Sequence, residues 1–311
     1  MKHIVLKLIV LLGLFSVFSC NKNSIGMKMR TIPDGTFTRA SENAKAREIQ
    51  ISSFLLSERE VSVAQFRTFL AETGLSHILN NTGSNEIGIL TQFGYEHKAL
   101  DEGFKIPDEW PAFYVSFFDA VKFCNWLSEK EGLEPSYELT EDPEYPNKSP
   151  VHWNKKASGY RLPTEAEWEY VCFSDYGKHA KDIAVLDFGT GEIVPQKTGS
   201  KKANKYGIYD MPGNVYEWCW DFYDVRYYVM SKTKNPRGPA KGFNPAPFDP
   251  DHTGLAPSTT DRVIKGGDFM TKADGNFNIM QRNFSAPFAR INPRRKIAIG
   301  FRLARNIQKK K

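Results

Sequence analysis

Residues 206–221 of the chain read Tyr-Gly-Ile-Tyr-Asp-Met-Pro-Gly-Asn-Val-Tyr-Glu-Trp-Cys-Trp-Asp, a tight-turn signal set among aromatic and acidic side chains. The Pro-Gly-Asn step at 212–214 reverses the chain, because proline fixes φ and glycine tolerates positive φ. Asn214, Glu217 and Asp221 then supply oxygens, and oxygens that converge beside a tight turn are suitable ligands for Ca²⁺. These residues leave two interpretations open: a cation site, or a buried aromatic corner with solvated acids.

The composition predicts a folded, loop-rich protein. The 311 residues are 41% hydrophobic and 25% charged, which permits a packed core and argues against global disorder. The 22 Phe, 13 Tyr and 6 Trp, together with 23 Gly and 18 Pro, indicate irregular structure held by aromatic packing. The net charge of +6 is modest and no basic stripe alternates with aromatics, so nucleic acid is not expected as a partner.

The N-terminal segment is typical of a bacterial lipoprotein signal. Residues 1–19 combine a basic start with an apolar run from Leu8 to Phe18, which is too short to span a bilayer. Cys20 follows a serine at the boundary, and polar residues begin at once. We therefore expect lipidation of Cys20 and anchoring to a membrane of the cell envelope, inner or outer. The alternatives are an ordinary signal peptide and an uncleaved anchor.

This interpretation divides the chain into four parts. They are a signal peptide at 1–19, the lipidated cysteine with a linker at 20–25, one globular domain at 26–305, and a basic tail at 306–311.

The globular part contains Cys124, Cys172 and Cys219, each flanked by aromatic residues. Three is an odd number, so at most one disulfide forms. No cysteine belongs to a Cys-x-x-Cys or Cys/His cluster, so a zinc site is not expected. Buried, unreactive thiols are the prediction for all three.

Three helices are predicted from capping boxes, in which Ser or Thr is followed three positions later by a side chain that reaches back. The pairs are Ser62 with Gln65, Ser116 with Asp119, and Thr164 with Glu167. Aromatic strands and long loops separate the helices without βαβ alternation, so we expect a single α+β domain. Residues 26–37 are expected to form a hairpin around a turn at 33–35, and Arg161 is expected to pair with Glu167.

The order of the motifs resembles the formylglycine-generating-enzyme, or sulfatase-modifying-factor, family. The most specific run is Arg-Leu-Pro-Thr-Glu-Ala-Glu-Trp-Glu-Tyr at 161–170. The other matching segments are 26–37, 60–70, 115–127, 206–221, and 262–269 with 300–302. The resemblance runs from about 26 to 305 and implies that family's single irregular α+β domain, related to the C-type lectin fold.

The resemblance also implies a calcium site in the turn. In the family this segment binds Ca²⁺ through two backbone carbonyls and a glutamate, which correspond here to Gly213, Val215 and Glu217, with Asn214 adjacent. A second calcium site of the family has no recognisable counterpart in 178–200.

The same resemblance argues against the family's oxidase chemistry. Formylglycine-generating enzymes resemble one another in two cysteines after a Gly-Gly-Ser strand, which bind copper and activate oxygen. This chain has no cysteine after Cys219, and Thr271 and Asn276 stand near the corresponding positions. Neither replaces a thiolate as a ligand of Cu(I), so no copper and no catalytic residue are expected. The six scattered histidines likewise provide no cluster like that of the iron-dependent sulfoxide synthases.

Three functional hypotheses follow. The first is a non-catalytic binding or scaffold lipoprotein of the bacterial envelope, similar in layout to gliding-motility-type lipoproteins, with envelope proteins as partners. The second is a divergent oxidase or maturation factor acting on exported proteins. The third is ligand recognition by aromatic loops of a lectin-like surface.

Overall fold

A computed structural model describes residues 22–41, 44–75, 106–140, 150–174, 180–189, 193–245, 258–274, 278–289 and 297–308. The predicted signal peptide, Cys20 and Asn276 lie outside these residues. No helix within these ranges has the length and apolarity needed to cross a membrane.

Twelve short strands and five helices make up the described part of the chain. The strands are β1 (Met29–Ile32), β2 (Gly35–Ser41), β3 (Ala44–Ile51), β4 (Phe54–Ser57), β5 (Tyr137–Leu139), β6 (Val151–Trp153), β7 (Tyr160–Arg161), β8 (Tyr216–Phe222), β9 (Arg262–Lys265), β10 (Asn283–Ser285), β11 (Ile299–Gly300) and β12 (Ala304–Asn306). The helices are α1 (Val63–Thr73), α2 (Phe117–Lys130), α3 (Glu165–Cys172), α4 (Ala180–Ile183) and α5 (Tyr227–Met230). The mixture confirms the α+β prediction.

Two four-stranded sheets organise the domain. The first has the order β1-β4-β12-β7, and its pairs are antiparallel. The second has the order β10-β9-β8-β11, in which only the β8–β11 pair is parallel. Strand β8 carries the second half of the 206–221 segment, so the turn leads directly into the middle of the second sheet.

The predicted hairpin over 26–37 is wrong. Strand β1 pairs with β4, Met29 opposite Ser57, whereas β2 pairs with β3. The turn at 33–35 does separate two strands, but a turn signal does not decide which sheet each flanking strand joins. Burial decides it here: Ile32 is buried in β1, and so are Phe54 and Leu56 in β4.

The three capping boxes are confirmed. In each, the hydroxyl accepts from the backbone N–H three residues on, and that residue's side chain accepts from the N-cap backbone. Helix α1 ends at Gly74, whose φ of +70° is the left-handed conformation that glycine tolerates. Arg161 and Glu167 also pair as predicted, through two hydrogen bonds of 2.7 Å that fix the entry to α3.

The core is built from aromatic side chains. The buried ring of Phe123 lies 5.4 Å from that of Phe69 and 5.2 Å from that of Phe301, measured between centroids. These contacts join α1 and α2 to the segment before β12. Cys124, Cys172 and Cys219 are buried and free, as predicted. Burial raises the pKa of each thiol, so these cysteines are protonated core residues.

Candidate functional site

The turn that opens the 206–221 segment has a backbone that requires its sequence. Gly213 has a φ of +88°, and a Cβ there would lie 2.0 Å from the backbone oxygen of Val185. Asp210 and Asn214 also have positive φ, at 52° and 60°. Asn and Asp tolerate this conformation better than other non-glycine residues. The reversal therefore needs positive φ at three positions, and the Asp-Met-Pro-Gly-Asn order places a tolerant residue at each of them.

Glu217 lies at the centre of the domain. Its side chain is fully buried, and its carboxylate accepts two hydrogen bonds of 2.6 Å from the Nε and Nη2 of Arg302. The same carboxylate accepts a third, of 2.8 Å, from the indole Nε1 of Trp168. Arg302 also donates to the backbone oxygen of Tyr209 at 3.0 Å. The pair thus fastens β8 to the last loop before β12 and to the start of the turn.

Two further buried acids, Glu60 and Asp210, lie beside the Glu217–Arg302 pair. Neither was identified from the sequence as a site residue. Glu60 and Asp210 are buried, and the side-chain amide of Asn214 donates to Glu60 at 3.1 Å. Burial raises the pKa of both carboxyls, and the charge of Asp210 raises that of Glu60 further. Within the described residues, Glu60 Oε2 and Asp210 Oδ1 are buried without a donor from another group, and the two carboxyls lie within hydrogen-bonding reach of each other. Two such oxygens need either protons or a cation.

Two of the predicted calcium ligands, Glu217 and Asn214, already have hydrogen-bond partners within the protein. Glu217 is saturated by nitrogen donors and its charge is already compensated by Arg302. Asn214 Oδ1 accepts from the backbone N–H of Gln196 at 3.0 Å. The unpartnered carboxylate oxygens belong to Glu60 and Asp210 instead. In the described part of the chain, no group of three or more His, Cys, Asp and Glu side chains converges in a metal-binding arrangement.

A cavity of about 190 Å³ lies after the Gly266–Gly267 pair, where the resemblance places the copper ligands. Thr271, Lys272 and Asp274 line it. The Thr271 hydroxyl is engaged locally, since it donates to Asp268 Oδ1 at 2.8 Å and accepts from the Asp268 N–H at 3.0 Å. Among the described residues that line it, this cavity therefore offers hydroxyl, ammonium, carboxylate and amide groups, and no sulfur.

A buried charge network joins helix α3 to β8 and β9. Glu169 accepts from Arg39 at 2.6–2.7 Å and from the ammonium of Lys265 at 3.0 Å. Asp221, the third acid of the opening segment, accepts from the backbone N–H of Glu165 at 2.9 Å. Burial and the charge of Glu165 raise the pKa of Asp221 to about 8. The solvated-acid interpretation is therefore wrong for Asp221 and Glu217, both of which are buried.

Glu165 has the opposite electrostatic environment. Arg282 donates to its two oxygens at 2.7 and 2.9 Å. Burial acts to raise the pKa of Glu165, but Arg282 and Lys265 outweigh that effect and lower it to about 2. The network consequently holds one ionised and one protonated acid side by side near neutral pH.

Only part of this arrangement has a sequence signal. Asp210 precedes the Pro-Gly turn by two positions, and an acid at that distance from a reversal is a visible cue. Glu60 has no comparable cue, because it reaches Asn214 from 154 positions away.

Comparison with known proteins agrees with the fold. The chaperone protein LppX of Paenibacillus barcinonensis is 27% identical over 244 residues, which cover 68% of this chain and 77% of that protein. The formylglycine-generating enzyme of Bos taurus is 30% identical over 276 residues, covering 78% of this chain and 66% of the enzyme, so the match spans just under two thirds of its length.

A solved structure, the Treponema denticola variable protein 1, superimposes with a TM-score of 0.62 at 22% identity. The superposition covers 90% of this chain and 95% of that one, which shows a shared fold. The sequence pattern of the sulfatase-modifying factor enzyme 1-like domain matches residues 15–307. With that match over most of its length, the chain belongs to the sulfatase-modifying factor enzyme 1-like domain family.

Proposed function

We propose that this protein is a non-catalytic binding or scaffold lipoprotein of the bacterial envelope, anchored through Cys20. The observation that carries the proposal is the cavity after Gly266–Gly267, which is lined by Thr271, Lys272 and Asp274 and by no cysteine among the described residues. Soft thiolates select Cu(I), whereas a hydroxyl, an ammonium and a carboxylate do not.

The remaining thiols do not compensate for this loss. Cys124, Cys172 and Cys219 are buried in the core and protonated, since burial raises their pKa. A relative matching more than two thirds of the chain is named a chaperone protein. That name supports a role in which the domain binds other proteins without transforming them.

We further propose that Ca²⁺ binds at the turn, through the carbonyl oxygens of Gly213 and Val215, with Asn214 held beside the site by its hydrogen bonds to Gln196 and Glu60. Glu60 and Asp210 would supply the negative charge, because their buried oxygens lack partners. Bound Ca²⁺ would let both carboxyls ionise, which burial otherwise opposes. Glu217 would then bind Arg302 and not the ion, although the Glu217 carboxylate lies beside the site.

The calcium proposal is tested by thermal unfolding in 1 mM CaCl₂ and in EDTA. We expect a higher midpoint in CaCl₂, and we expect Asp210→Asn to remove the difference. Asp274→Asn, in the cavity after Gly266–Gly267, is the matched control and should preserve it. An identical response to EDTA in the wild type and in Asp210→Asn would contradict the site.

The alternative is a divergent oxidase or maturation factor for exported proteins. The retained cavity beside Gly266–Gly267 and the similarity to the bovine enzyme favour it. Metal analysis of the purified protein, with an oxygen-uptake assay on a cysteine-containing sulfatase peptide, separates the two. Stoichiometric copper or peptide-dependent oxygen uptake would refute the non-catalytic proposal.

The anchor and the partners are tested in cells. Metabolic labelling with a fatty-acid analogue should mark the wild type and leave Cys20→Ala unlabelled. Cross-linking in the native envelope should recover a fixed protein partner; recovery of the uncombined chain alone would count against a scaffold role.

A further inference from the structure

A large groove, distinct from the cavity after Gly266–Gly267, runs over one surface of the domain. Its volume is about 1280 Å³. Strand β8, the start of helix α2 and residues 230–241 all contribute to its lining. Trp153, Trp220, Phe222 and Phe288 are among the aromatic side chains in it. We call this feature the aromatic groove.

The aromatic groove contains a buried arginine without an acidic partner. Arg262 is stacked against the rings of Phe222, Phe117 and Trp220, with its guanidinium carbon 3.5, 4.2 and 4.8 Å from their centroids. One nitrogen donates to the backbone oxygen of Trp220 at 2.6 Å. Among the ion pairs of the described residues, none includes Arg262. Burial lowers the pKa of Arg262 to about 9, as expected for a desolvated cation.

Three polar groups of the lining lack hydrogen-bond partners in the described structure. They are Arg262 Nε, Trp153 Nε1 and Ser231 Oγ. The two nitrogens can only donate, and the hydroxyl can donate. An unsatisfied buried donor costs about 1–3 kcal/mol. A ligand with acceptor oxygens would recover that cost wherever a small side-chain movement opens one of these buried donors to the groove.

The charge of the aromatic groove has one sign. Its lining includes six lysine and arginine side chains, and no aspartate or glutamate occurs among these described lining residues. The chain as a whole is nearly balanced, with 42 basic and 36 acidic residues, so the segregation is local. Lys234 and Lys241 are exposed at this surface and would attract an anionic ligand.

The rim adds exposed apolar area. Met230 and Phe288 both line the aromatic groove and are 58% and 53% exposed. Arg237 stacks on Trp153, 5.1 Å from its ring centroid, and presents a further cation. A flexible methionine and an aromatic ring beside cations are suited to a ligand that carries both apolar side chains and carboxylates.

We propose that the aromatic groove binds an extended, acidic peptide segment with aromatic side chains, presented by a partner protein. This inference rests on the proposed binding function and names the chemistry of the partner. The volume exceeds the 300–1,000 Å³ typical of small-molecule pockets, and aromatic walls with several prolines suit an extended chain. The exposed Met230 and Phe288 favour a peptide over an acidic glycan, whose surface is mostly hydroxyl groups.

The test uses the full chain and a fluorescein-labelled probe peptide of about ten residues that repeats Glu-Phe-Pro-Asp-Tyr. The control peptide carries Gln and Asn in place of the acids. Fluorescence anisotropy should show saturable binding of the acidic peptide and at least tenfold weaker binding of the neutral one. Raising the salt from 0.05 to 0.5 M should weaken binding several-fold, because exposed charges are screened.

Variants locate the binding surface. Lys234→Glu with Lys241→Glu should weaken binding about tenfold or more, whereas Lys45→Glu with Lys197→Glu, on exposed lysines outside the aromatic groove, should not change it. Arg262→Met should also weaken binding. If this variant does not fold, the two double-lysine variants still decide the test, because their changes are on exposed side chains. Equal binding by both lysine pairs would overturn the proposal.

Three other results are informative. Binding of a polygalacturonate fragment together with no binding of the acidic peptide would overturn the assignment to a protein partner. Absence of peptide binding in a preparation that also holds no copper and consumes no oxygen would remove this inference and leave the non-catalytic proposal standing. Peptide binding together with stoichiometric copper would support the aromatic groove and refute that proposal.

Discussion

Replacing Glu217 with glutamine would test whether one buried ion pair holds the two sheets together. Glu217→Gln keeps the shape of the side chain but leaves the guanidinium of Arg302 without its charge partner. Both side chains are fully buried, and their two contacts are 2.6 Å long. Removing one member of a buried pair costs about 3–5 kcal/mol, because the other charge stays desolvated.

That cost corresponds to a measurable shift in melting temperature. Residues 15–307 form the matched domain. With an unfolding entropy of about 2.1 cal/mol/K per residue, about 3–5 kcal/mol lowers the midpoint by about 5–8 °C. The assay is calorimetry or urea unfolding of the wild type and the variant at pH 7.

Two further variants sharpen this prediction. Glu167→Gln is the matched control, since Arg161 and Glu167 also form a two-pronged pair but the glutamate side chain is 13% exposed. It should cost less, about 1–3 kcal/mol. Glu217→Gln combined with Arg302→Met should be less damaging than the sum of the two single changes, since it removes the stranded charge. Strict additivity, or a loss below about 1 kcal/mol in Glu217→Gln, would refute the reasoning.

Three other predictions concern pH and backbone. Burial raises the pKa of Asp221 from 3.8 to about 8, so the free energy of unfolding of the wild type should fall as pH rises between these values, by up to about 6 kcal/mol at about 1.4 kcal/mol per pH unit. Asp221→Asn should flatten that slope in urea titrations at pH 5 and 8.5, and parallel slopes would contradict it. The pKa of Glu165 is lowered from 4.5 to about 2, so its contribution to the free energy of unfolding should be full above pH 4.5 and lost as pH falls toward 2. Chemical unfolding between pH 5 and 2.5 should therefore be less acid-sensitive in Glu165→Gln than in the wild type. An unchanged acid sensitivity would contradict this. Gly213→Ala should destabilise the protein by more than about 3 kcal/mol, because its Cβ would meet a backbone oxygen at 2.0 Å. The control Gly74→Ala is also at positive φ but has no atom within 4 Å, and it should cost about 1 kcal/mol. Similar melting temperatures of the two variants would argue against the clash.

Local signals in the sequence predicted local structure well. The capping boxes at Ser62, Ser116 and Thr164 were readable because each involves residues three positions apart. The Arg161–Glu167 pair was likewise within reach, six positions apart. These features depend on backbone geometry that the neighbouring residues determine.

Long-range pairing was not readable in the same way. The strand before the turn at 33–35 joins β4 and not β2, because burial of Ile32 against Phe54 and Leu56 outweighs the proximity along the chain. The partner of Glu217 is 85 positions away, and Glu60 lies 154 positions from Asn214. A single sequence identifies acids near a turn, but only the packed structure decides which are saturated by arginine and which keep unpartnered oxygens.

The position of β12 within the first sheet has a consequence for biosynthesis. This strand lies between β4 and β7, yet it is translated after both of them. The backbone N–H of Leu303 donates to Ser57, 246 positions earlier. Until β12 has been translated, β4 and β7 each have an open edge that can pair with another chain. A nascent chain halted before Ala304 should therefore bind chaperones, and deletion of β12 should be as harmful as a deletion in the core.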